Sequence, residues 1–131
     1  MVLLTIVILA INPARQFGNT RNLEREQDLG TIADAIASYT QEKNKALFLS
    51  ISTGAAMEIC GDSITGSCAS LLDIRVLMPN YMSTIPLDPL SEDPDVINEH
   101  TRYFLSRTSQ HFTITAPDTE PLGDPDLSVI R

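Results

Sequence analysis

The stretch Ile11–Lys43, INPARQFGNTRNLEREQDLGTIADAIASYTQEK, decides how the rest of the chain is read. Within it Leu29, Ile32, Ala33, Ile36 and Tyr39 recur at helical spacing, while Gln27, Asp28, Asp34, Gln41 and Glu42 fall on other faces. That is an amphipathic helix with one apolar stripe, long enough to pack against a sheet. Lys43-Asn44-Lys45 suits its C-terminal end, where cations meet unpaired carbonyls. Gly18 and Gly30 weaken the helix locally, by about 1 kcal/mol each relative to Ala. Gly30 lies beside the stripe, so a close approach by another element is expected there.

Upstream lies an apolar run of eleven residues, MVLLTIVILAI, broken only by Thr5. It has no basic leader region or small-residue cleavage site, so it does not read as a signal peptide. It is also too short to span a bilayer, which takes roughly 20 residues. Met1, Val2, Leu3, Leu4, Ile6, Val7, Ile8, Leu9 and Ile11 are apolar on every side of a helix, more than one chain's own core needs. The run is therefore either part of a membrane segment or a self-association core. Asn12-Pro13 divides it from the amphipathic stretch: Asn12 either caps a helix that has Pro13 in its first turn, or the pair kinks a continuous one.

Two regions follow: a stem, residues 1–46, and a head, residues 47–131. In 12–46 the bases Arg15, Arg21, Arg25, Lys43 and Lys45 balance Glu24, Glu26, Asp28, Asp34 and Glu42, so the net charge of −8 belongs to the head. An acidic head repels polyanions, and direct nucleic-acid binding is not expected of it. Cys60 and Cys68 bracket a Gly/Ser/Thr-rich loop without further thiol or imidazole ligands close by. A disulfide is the reading, implying an oxidising compartment; two free thiols in a reducing one are the alternative.

In the head, 47–58 is open between a strand and an irregular wrap over the stem. Ala69–Met78 reads as a short helix burying Leu71, Leu72, Val76 and Leu77, stopped by Pro79. Residues 79–99 are rich in Pro and acids and read as a long loop. Short β-rich runs at Arg102–Leu105 and Phe112–Thr115 predict an antiparallel hairpin with Tyr103 or Phe104, and Phe112 or Ile114, facing the stem. Leu127–Ile130 supplies a third strand. The fold class is α+β, a long stem helix packed on a small antiparallel sheet.

In Asp28–Tyr39 the pattern D-L-x-x-I-A-x-A-I-x-x-Y, following the apolar run and the proline, resembles bacterial type IV pilin-like proteins, especially the major pseudopilins of type II secretion. Tyr81–Pro89, YMSTIPLDP, is similar to that family's Tyr…Pro-x-Asp-Pro segment between short helix and hairpin. Aligned on Pro13, Met1 falls inside the family's apolar helix, and the family's glycine cleavage site and early glutamate have no counterpart here. The resemblance implies a subunit that passes through the inner-membrane lipid and self-assembles helically. The product is a cell-surface or extracellular pilus (fimbrium) or a periplasmic pseudopilus, serving adhesion, motility, DNA uptake or protein secretion. It also raises a calcium reading of the acidic loop, with Asp88, Glu92, Asp93 and Asp95 as oxygen ligands. The alternative is a monomeric, membrane-tethered or secreted binding module whose acidic loop holds calcium or a partner. No phosphate loop, nucleophile elbow or HExxH pair occurs, and His100 and His111 are far apart, so no enzyme is expected.

Overall fold

The computed structural model describes residues 13–44, 46–62, 68–91, 100–120 and 126–131. The apolar run Met1–Ile11, Asn12, and the acidic residues Glu92, Asp93 and Asp95 lie outside them.

Helix α1, Pro13–Glu42, is 30 residues long, about 45 Å at 1.5 Å per residue. Asn12, on which the choice between a cap and a kink turns, lies outside the described residues. At the other end Lys43 N–H donates to the Tyr39 carbonyl, and Asn44 turns left-handed at φ 52°. Asparagine tolerates that conformation better than most residues, and it stops the helix. A short second helix, α2 (Ala46–Ser50), doubles back against α1.

The sheet is a four-stranded antiparallel meander in the order β1 (Met57–Cys60), β2 (His100–Arg107), β3 (Phe112–Ala116), β4 (Leu127–Ile130). Its α+β architecture is the one expected, with one face of the sheet closed by the helix. Alternation along β2 and β3 puts Thr101, Tyr103, Leu105, Phe112, Ile114 and Ala116 inside, as a half-covered antiparallel sheet requires. The open choice is thus resolved: Tyr103 faces inward rather than Phe104, and both Phe112 and Ile114 do so. On the helix, Leu29, Ile32, Ala33 and Ile36 are fully buried and Tyr39 packs partly buried at the margin of the same core. The 47–58 stretch is α2 at its start and β1 at its end.

Ala69–Met78 differs from expectation. Only Arg75–Leu77 is helical, as a single 3-10 turn. The segment before it is drawn out along the edge of β1: Cys60 N–H donates to the Leu72 carbonyl and Leu72 N–H to that of Glu58. Ser70 is left-handed at φ 69°, and the Asp73 carboxylate accepts from Arg75 N–H at 2.9 Å. That local bond competes with helix propagation. The buried pair is therefore Ile74 and Leu77, while Val76 is 53% exposed and Leu71 and Leu72 are only half-buried.

The β1–β2 pairing slips between Glu58 and Cys60. The bulge places Arg102 at φ 62°, sparsely populated for a residue with a Cβ. Its freed N–H donates to Glu58 Oε1 at 2.9 Å, and Thr101 Oγ1 donates to the Ile59 carbonyl at 2.7 Å. Side chains thus replace the ladder bonds that the bulge removes.

Candidate assembly stem and its polar clamp

The face that α1 turns to the head changes character at Asp28. Past it the face is apolar, and before it the same rows carry Gly18, Arg21, Asn22 and Arg25. Arg25 falls one turn ahead of Leu29 and is completely buried.

Its partner is Asp88, also fully buried. Arg25 Nε donates to Oδ2 at 2.6 Å and Nη2 to Oδ1 at 3.1 Å, a two-pronged match of guanidinium to carboxylate. Asp88 is itself held by its proline-flanked loop. Its N–H donates to the Thr101 carbonyl at 3.0 Å, its Oδ1 accepts from Leu90 N–H at 2.8 Å, and its carbonyl accepts from Ser91. Asp88 is thereby fastened to the sheet by its backbone and to the stem by its side chain.

A second loop is fastened alongside. Arg21 grips Glu120 with Nε and Nη2, at 2.5 and 2.7 Å. Asn22 exchanges two bonds with the Glu120 backbone, donating to its carbonyl and accepting from its N–H. Asn22 Oδ1 also accepts from Arg25 Nη1 at 2.8 Å, which links the two clamps. Gly18 makes the approach possible: a Cβ built there would stand 3.3 Å from Glu120 Cβ. The close approach is therefore at Gly18, whereas Gly30 faces open space. Further along, the Tyr103 hydroxyl donates to Asp28 Oδ2 at 2.6 Å.

The charges respond accordingly. The hydrogen bonds from Arg21, with the nearby Arg25 charge, hold the Glu120 carboxyl below its ordinary value. Burial pushes the Asp28 carboxyl up, and the Tyr103 donor offsets part of that. Burial and the Asp28 carboxylate together push the Tyr103 phenol well above its ordinary value. Removing a buried ion pair from water costs several kcal/mol per charge, so its net stabilisation is small, but removing one partner alone is costly. The clamp therefore fixes which loop sits where more than it adds stability.

The Cys60–Cys68 disulfide is formed, with Cα atoms 5.6 Å apart. Of the four acids expected to bind calcium, only Asp88 is described. Three of its roughly four acceptor positions are filled by Arg25 and Leu90 N–H, and a cation there would sit against a guanidinium. Among the described residues no three His, Cys, Asp or Glu side chains are grouped to hold a metal. His100 is at the start of β2, 2.9 Å from a Glu58 oxygen, and His111 is in the turn beyond that strand, so the two do not converge. No described helix is long and apolar enough to cross a membrane. Arg21, Asn22, Arg25 and Glu120 were not singled out from sequence. The available signal was register, since Arg21 and Arg25 fall on the rows that Leu29 and Ile32 continue. Comparison with family models, curated proteins and solved structures finds no match.

Proposed function

We propose that the chain is a structural subunit that self-assembles through its N-terminal helix into a type IV pilus-like or pseudopilus filament. It would pass through inner-membrane lipid before assembly and act at the cell surface or in the periplasm. The observation that carries this reading is the uncovered side of α1. The head covers one face only, leaving Phe17 63% and Leu23 57% exposed directly downstream of the apolar run Met1–Ile11. Two large apolar side chains on the free side of a helix, continuing an all-round apolar sequence, suit neighbouring stems better than water. The disulfide agrees with either oxidising location.

Electron microscopy of native material carrying Met1–Ile11 tests the proposal. Filaments are expected, and the double variant Phe17→Glu/Leu23→Glu should abolish them while the head keeps its melting temperature. Native material that stays monomeric at every concentration would instead favour the tethered or secreted binding module, with calcium uptake by Glu92, Asp93 and Asp95 its own test.

A further inference from the structure

We draw no further inference here: the strongest candidate, the open cluster of Glu58, His100, Arg102 and Asp118 around Phe104 on the outer face of the sheet, carries nothing because its side chains already pair with one another, Glu58 with His100 and Arg102 with Asp118, and nothing in the structure shows what covers it.

Discussion

The two halves of α1 hold the same head by different means. From Leu29 to Ile36 the contact is a close-packed apolar stripe against β3, β4 and the Ile74–Leu77 turn, in a core that Tyr103 and Leu105 of β2 complete. From Gly18 to Asp28 it is a set of directed polar bonds reaching two loops, at Asp88 and Glu120. The apolar half is tolerant, since any well-packed hydrophobe of similar volume serves. The polar half is exacting, because each of its groups has been taken wholly or partly out of water for specific partners. The difference suits what each half must hold. Strands carry their own backbone ladder and need only a surface to rest on, whereas a proline-rich loop has few internal bonds and needs pinning.

The largest expected effect comes from breaking the buried pair on one side. Asp88→Ala should destabilise the fold by about 3–5 kcal/mol in chemical denaturation, because Arg25 stays buried and unpaired. Replacing both partners, as Arg25→Met/Asp88→Leu, should recover most of that loss. If the double variant is as unstable as the single one, the clamp contributes stability of its own and the contrast between the halves must be redrawn. Ile32→Ala, at the centre of the apolar half, should cost about 3 kcal/mol. Its loss should add to that of Glu120→Ala, since the two sites share no partner.

Acid separates the two carboxylates of the polar half. Glu120 has its folded pKa below the ordinary 4.5. Its contribution is therefore present above pH 4.5 and is lost as pH falls through the folded value. Asp28 has its folded pKa above the ordinary 3.8. Its favourable contribution belongs to the protonated form, complete below 3.8 and lost as pH rises through the folded value. Thermal melts from neutral to acid pH should show Glu120→Gln flattening the acid loss. Asp28→Asn should be more stable than the parent at pH 7, with that advantage fading toward acid. The smallest effect expected is at the glycines. Gly30→Ala should stabilise by up to about 1 kcal/mol, since nothing stands near it. Gly18→Ala should gain less or lose, because Glu120 must give way. Equal gains at both sites would mean that the clamp is loose.

The apolar half was legible from the sequence because periodicity reports it directly, and so was the hairpin, because alternation does. The polar half was not. Arg25 and Asp88 are 63 residues apart, and each reads as surface when considered alone. Only the register of Arg25 with Leu29 hinted that a charge had been drawn inside. The turn at Arg75–Leu77 was misread as a longer helix because its leucines fit that period. What overrode propensity there was the β1 edge, which claims Leu72, together with the Asp73 side chain. The pairing of Cys60 with Cys68 was read from proximity in sequence alone.

That disulfide has a consequence for solubility. The outer rim of β1 would otherwise offer unpaired N–H and C=O groups, a template on which foreign strands can grow. The strip ending at Leu72 occupies those groups, and Cys68 tethers the strip to the strand it shields. The covalent bond thus serves as a guard against unwanted sheet growth. Light scattering of the reduced protein held below its unfolding temperature should rise, while the oxidised form stays clear.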